Sequence, residues 1–197
     1  MQNAAVPAFV SIPAGGCSVC GVVPSTRGHV AGLADCDGCG TPGTAQVLAR
    51  GVTEAVGWPG TLSSWVAAAP RTRLLRVGDP TPLDGWLDRL PSTAMVELAD
   101  QEAGRLAFAD ATWDLVAHTS WPRVRNLPAA AAEALRVVQP GGSLLIAARV
   151  ATAALTEPSE VWHLGTDVWV PLLHAGARDV RIVASEPSVA LALIARR

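Results

Sequence analysis

The sequence predicts an α/β protein: a mostly parallel sheet covered on both faces over residues 71–197, a small metal-centred ribbon over 1–43, and a helical connector over 44–70. Three observations lead there. From Arg71 onward, short apolar runs alternate with helix-like stretches, the pattern of β-α units. The strand candidate Ser143–Val150 carries an unbroken apolar run, Leu144–Ala148, rather than an alternation, as strands buried on both faces do. And the four cysteines of the chain fall in two matching brackets, Cys17-Ser-Val-Cys20-Gly and Cys36-Asp-Gly-Cys39-Gly, inside a glycine-rich stretch.

The brackets set the first element. Two residues between cysteines let both thiolates reach one ion from a tight turn, and the glycine after each pair permits a left-handed backbone. Cys17, Cys20, Cys36 and Cys39 therefore make an S4 site, with Zn²⁺ the first choice of occupant and iron the second. Such a zinc site is coordinatively closed and structural. His29 lies between the brackets, but four thiolates already satisfy zinc, so it reads as a loop residue. Two disulfides are the other reading; Met1 to Pro13 lack a positive n-region, so no secretory signal is expected, and a chain this long needs no staple. Residues 1–13 are mildly apolar and can supply a strand beside the ribbon.

Composition narrows the function classes. Of 197 residues, half are hydrophobic and 16% charged, which argues against disorder. Net charge is −2, and the first seventy residues carry only Arg27 and Arg50 against Asp35, Asp37 and Glu54. That is not the basic footprint of a nucleic-acid binder. No apolar run reaches the length of a membrane span. A cytoplasmic, reducing setting is expected.

The remaining elements follow in order. Thr44 is placed to cap a helix over Ala45–Val56, which Gly57, Pro59 and Gly60 end; Thr61–Ala69 reads as a second helix before Pro70. Arg73–Val77 is a buried strand, Leu83–Leu90 a short helix, Thr93–Leu98 a strand, and Leu106–Phe108 either extended or a short edge piece. Trp113–Ala117 is a strand entered by Asp114. Leu127–Val138 is a helix with Ala130, Ala134, Leu135 and Val138 on one stripe, and Pro140-Gly141-Gly142 ends it. Ser143–Val150 is a strand, Val168–Ala175 a helix, and Val180–Ala184 and Val189–Ala195 the last two strands.

Several of these stretches resemble class I S-adenosylmethionine-dependent methyltransferases. Phe108-Ala-Asp110-Ala-Thr-Trp113-Asp114-Leu-Val is similar to the segment leading into their fourth strand. Glu133-Ala-Leu-Arg136-Val-Val-Gln-Pro140-Gly141-Gly142-Ser-Leu-Leu-Ile is similar to their helix D, Pro-Gly-Gly turn and fifth strand. His174-Ala-Gly176-Ala-Arg-Asp179-Val-Arg-Ile-Val, with Val189–Arg197, is similar to their terminal helix and reversed hairpin. The resemblance spans about 71–197 and implies a Rossmann-like sheet of the methyltransferase type with a reversed C-terminal hairpin. Cysteine knuckles ahead of such a domain also resemble the ribosomal-RNA guanine methyltransferases with an N-terminal zinc module.

The departures bear on the cofactor. The family's first strand runs into a glycine-rich turn; here that stretch is Leu75-Arg-Val77-Gly78-Asp79-Pro80-Thr-Pro82-Leu83. Only Gly78 remains, Pro80 and Pro82 remove amide donors, and Asp79 puts a carboxylate near where the methionine carboxylate would approach. Such a loop fits S-adenosylmethionine poorly. One helix and one strand of the family's usual set are missing as well. If Thr93–Leu98 is the second strand, the resemblance makes Glu97 the ribose-binding acid; if it is the third, Asp100 is the adenine-side acid.

Ligands in open α/β sheets sit at the carboxyl ends of the strands. Gly78, Asp79, Glu97, Asp100, His118, Thr119, Ser120 and Trp121 project there. His118 is the candidate general acid/base, against the reading of a polar residue satisfied by a nearby loop. Asp79 reads equally as a helix cap, and Glu97 as a solvated strand end. Trp113 and Trp121 read as packing residues. Trp162 and Trp169 flank a segment, Glu160–Asp167, that would cover the pocket or meet a partner. Two functions remain open: a degenerate, non-catalytic methyltransferase-fold protein with a protein partner or a second copy of itself, or an active minimal methyltransferase.

Overall fold

The computed structural model describes residues 8–11, 16–23, 35–68, 71–97, 105–119, 126–149, 169–184 and 190–197. Strands β1 (Ala8–Ser11), β2 (Leu74–Val77), β3 (Thr93–Val96), β4 (Trp113–His118), β5 (Val138–Arg149), β6 (Asp179–Ala184) and β7 (Ala190–Arg196) form one sheet in the order β1-β6-β7-β5-β4-β2-β3. All neighbours are parallel except the two partners of β7, which runs against both β5 and β6. This is a doubly wound sheet whose C-terminal hairpin reverses one strand, as the sequence predicts.

Strand chemistry explains the layering. Side chains alternate across the sheet, so Leu74 joins one apolar cluster while Leu75 and Val77 join the other. On the first face lie α1 (Gly43–Ala55), α2 (Leu62–Ala67) and α3 (Asp84–Leu87), around Val47, Val52, Leu62 and Trp65. On the second lie α4 (Leu127–Val137) and α5 (Val170–His174), with Ala130, Ala131, Ala134 and Leu135 against Val116, Leu144 and Ile146. The alanines of α4 let the helix lie close to the strands. Asn126 caps α4, its Oδ1 accepting from Ala129 N–H at 3.1 Å, and Thr61 caps α2.

Five expectations need correction. Thr44 does not cap α1: the helix starts at Gly43, and the Pro42 carbonyl takes the Ala45 and Gln46 amides at 2.9 and 3.1 Å. Leu106–Phe108 is not an edge piece, because the Arg136 guanidinium takes the Leu106 and Phe108 carbonyls at 3.1 and 3.0 Å. The short helix closes at Leu87 and goes on to Leu90 as turns. Pro140-Gly141-Gly142 does not stand between helix and strand. β5 begins at Val138 opposite Trp113, then slips register so that Ser143 faces Leu115. Gly141, at φ 83°, makes that bulge possible, and Gly141 N–H and Gly142 O bond to Arg197. Finally, the N-terminal strand pairs with the sheet rather than with the cysteine ribbon: β1 adds to the edge, Ala8 opposite Arg181 through Ser11 opposite Ala184.

β3 pairs with β2 on the side away from β4, the place of the second strand in a doubly wound sheet. Glu97 thus follows a strand in second position. Asp100, Ser120, Trp121, His29, Trp162 and the segment 160–167 lie outside the described residues.

Candidate functional site

The cysteines come together. Their four sulfurs lie within 4.8 Å of one another, with Cys17 Sγ 3.8 Å from Cys39 Sγ and Cys20 Sγ 3.5 Å from Cys36 Sγ. None is bridged to another. A tetrahedron with Zn–S bonds of about 2.3 Å has edges of about 3.8 Å, so the donor set fits zinc in size and in softness.

The two brackets fold alike. Gly21 N–H donates to Cys17 O at 2.8 Å and Gly40 N–H to Cys36 O at 2.7 Å; Cys17 N–H reaches Val22 O at 3.0 Å and Cys36 N–H reaches Thr41 O at 2.9 Å. Gly21 and Gly40 both have positive φ, 83° and 69°, which the sequence anticipates. The ribbon is fastened to the helices. Ser18 and Val19 carbonyls accept the Leu62 and Ser63 amides at the start of α2, both at 2.9 Å, satisfying donors that a helix N-terminus leaves open. Cys17 and Val19 are buried in the same cluster as α1 and α2.

Protonation follows burial. Burial pushes the Cys17 thiol up to about 12, against the pull of the Cys20 and Val19 amides. Burial also raises Cys20. At Cys39, burial opposes ionisation, but the Thr41 hydroxyl and amide and the neighbouring thiols bring the group down to about 7. A bound dication would supply the counter-charge that lets all four act as thiolates.

At the carboxyl ends of the strands, register aligns Val77 with both Val96 and His118, so Gly78, Glu97 and Thr119 form the next row. Gly78 is buried at φ 116°, its N–H on Val96 O at 2.9 Å; Asp79 and Glu97 are exposed. Thr119 ties the row together, N–H to Val77 O and Oγ1 to Asp79 O, both at 2.9 Å. His118 is buried within β4 at 4% exposure, and burial pushes its pKa down to about 4, so the ring is neutral at physiological pH.

The loop beyond Gly78 is closed on itself. The Asp84 carboxylate accepts from Thr81 N–H at 3.0 Å and from Thr81 Oγ1 at 2.8 Å, and the Leu83 N–H donates to Thr81 Oγ1 at 3.3 Å. Arg76, buried in β2, holds Asp84 at 2.9 Å and also pairs with Asp88. Sequence reading misses Arg76 and Asp84, although a lone arginine inside an apolar strand signals a buried ion pair. It misses Thr41 too, two residues past Cys39. Trp113 packs edge-on against Phe108 at 5.2 Å, the packing role expected of it. Trp169 is half-buried at the start of α5.

No family model matches the chain, and no curated protein does. The chain is similar in structure to S-adenosylmethionine-dependent methyltransferases. A methyltransferase from Aquifex aeolicus aligns over 68% of this chain and 88% of its own at 18% identity and a TM-score of 0.48. A possible histamine N-methyltransferase from Thermotoga maritima aligns over 76% and 97% at 14% identity and 0.43. The CMeT domain of the citrinin polyketide synthase aligns over 74% and 59% at 12% identity and 0.48. The fold itself rests on the strand order. Among the described residues no helix is long and apolar enough to cross a membrane.

Proposed function

We propose that this is a zinc-binding protein on a methyltransferase-type sheet whose cofactor site is closed, working as a non-catalytic scaffold or interaction subunit. One observation carries the reading: the loop after β2 has no amide left to offer between Pro80 and Leu83. Pro80 and Pro82 have none, Thr81 gives its N–H to Asp84, and Leu83 gives its N–H to Thr81. Groups of this chain occupy what the cofactor would need, so S-adenosylmethionine does not fit in the family's manner. The buried, neutral His118 supports the same reading, since a general base near pH 7 needs a pKa near 7.

Zinc fits the four cysteines as a structural ion. Cys17, Cys20, Cys36 and Cys39 would hold it, and bound zinc would supply fold stability rather than an open coordination site. The ribbon (1–43), connector (44–70) and α/β unit (71–197) then work as parts of one body, with Ala8–Ser11 lent to the sheet. Four unbridged thiols suit a reducing cytoplasm. Partners in this reading are a protein or a second copy of the chain. The slightly acidic balance argues against nucleic acid as a partner, and no apolar run reaches the length of a membrane span.

Glu97 favours a second reading, an active minimal methyltransferase, because it stands beside Gly78 at the end of a strand in second position. Isothermal titration with S-adenosylhomocysteine separates the two. No heat at millimolar ligand is expected; tight binding to the lone zinc-loaded protein overturns the scaffold reading.

A further inference from the structure

The two cysteine knuckles differ at one corresponding position. Cys20-Gly21 is followed by Val22, and Cys39-Gly40 by Thr41. Both residues serve the turn identically, through a main-chain carbonyl that accepts the first cysteine's N–H at 3.0 and 2.9 Å. The turn therefore does not need a hydroxyl, and valine, the near-isostere of threonine, shows it. Nor does α1 use it: Pro42 is the N-cap, and no side chain caps the helix. Thr41 is 4% exposed, whereas Val22 is 44% exposed. A buried hydroxyl needs a partner. The Thr41 Oγ1 lies 3.1 Å from Cys39 Sγ.

We propose that Thr41 is a positioning residue of the metal centre, whose hydroxyl donates to the Cys39 thiolate and makes the two knuckles chemically unequal. This rests on the S4 site binding a metal. The direction of the bond follows from the loaded state: a metal-bound thiolate can only accept, so the threonine O–H must donate. A charge-assisted bond from outside the ligand shell orients the sulfur and draws off electron density. The Thr41 carbonyl is held in turn by Cys36 N–H at 2.9 Å and Gln46 Nε2 at 3.3 Å, so the residue is fixed between the second knuckle and α1. Cys20, whose knuckle carries Val22 at this position, is left the more electron-rich thiolate of the pair. Of these two, Cys20 is the ligand that electrophiles and competing chelators should attack first.

The test loads the full chain with Co²⁺, whose thiolate charge-transfer bands report electron density at sulfur. Thr41→Val should move those bands to lower energy and weaken zinc, measured by chelator competition, by about 10- to 100-fold. Thr41→Ser should restore both. Unchanged bands and affinity in Thr41→Val, or a serine variant that behaves like valine, overturn the proposal while leaving the metal site standing. Failure of the wild-type chain to bind Co²⁺ or Zn²⁺ sinks the metal site itself. A measurement without variants guards against misfolding: in the cadmium-substituted wild type, the Thr41 hydroxyl proton should exchange slowly and couple to the metal nucleus across the sulfur. A fast-exchanging, uncoupled proton refutes the bond.

Discussion

Replacing Asp84 with alanine tests the closed loop directly. The Asp84 carboxylate takes two bonds from Thr81, at 3.0 and 2.8 Å, and one ion pair from Arg76 at 2.9 Å. Hydrogen bonds to a charged group contribute roughly 1.5 kcal/mol each, so the two Thr81 bonds account for about 3 kcal/mol. Breaking a buried ion pair costs about 3–5 kcal/mol when the remaining charge is stranded. Here it is not stranded, because Arg76 keeps Asp88, and Asp88 is 59% exposed on its side chain, so this part shrinks to about 1 kcal/mol. The contributions share one carboxylate and do not simply add; about 3 kcal/mol is expected for the whole. Urea denaturation reads this as a midpoint lower by about 1.5 M, at a slope of about 2 kcal/mol per molar. Hydrogen exchange should show the Thr81 amide losing its protection while the β2 amides keep theirs. Asp84→Asn, which retains an acceptor for Thr81 but not the charge, should fall between. A loss below about 0.5 kcal/mol, within the range of an ordinary surface change, would refute the reasoning. So would an unchanged Thr81 exchange rate.

Other outcomes can be checked alongside. One equivalent of zinc per chain is expected by elemental analysis, and chelation should lower Tm and loosen Cys17 and Val19 from the core they share with α2; less than about half an equivalent counts against the site. His118 has a pKa near 4 in the fold and near 6.5 unfolded, so the unfolded chain binds the extra proton first. Stability is therefore unaffected above about pH 7 and falls by up to about 3 kcal/mol as pH drops from 6.5 towards 4; His118→Phe should flatten that part of the pH profile. Gly51→Ala should destabilise by about 1–2 kcal/mol despite the better helix propensity of alanine. Its Cβ would stand 2.9 Å from Ala192 Cβ and 2.8 Å from Leu145 Cδ1, and thermal melts will show whether α1 can retreat.

What the sequence made legible was local or periodic. The C-x2-C-G spacing reports a turn that its own residues build, and the unbroken apolar run from Leu144 reports burial on both faces, with Leu144, Leu145 and Ile146 all buried. What escaped depends on partners far along the chain. Nothing in Ala8–Ser11 says that its backbone will pair with β6, since strand addition is written in main-chain groups common to every sequence. The bulge in β5 is bonded to Arg197, and the Leu106 and Phe108 carbonyls to Arg136, partners 28 or more residues away. Whether Thr93–Val96 stands in second or third position is a question of neighbours, answered only by its register with β2. Thr81 and Asp84 are three apart and their bond is local, yet its weight comes from Arg76 across the strand–helix gap.

The edge strand would give a bound metal a reach beyond its own ligands. β1 shields the outer main-chain groups of β6, and Ser11 is only five residues from Gly16, which opens the first knuckle. Five residues span at most about 18 Å, so a metal-held knuckle would act as a short mooring for the strand. Take the ion away, and β1 is held to the sheet by its own four-residue pairing alone. A bared β6 is a template for any extended chain nearby, and molecules that have lost their metal should seed one another into assemblies. Zinc loss would then first register as turbidity that grows with protein concentration, with far-ultraviolet circular dichroism still close to native.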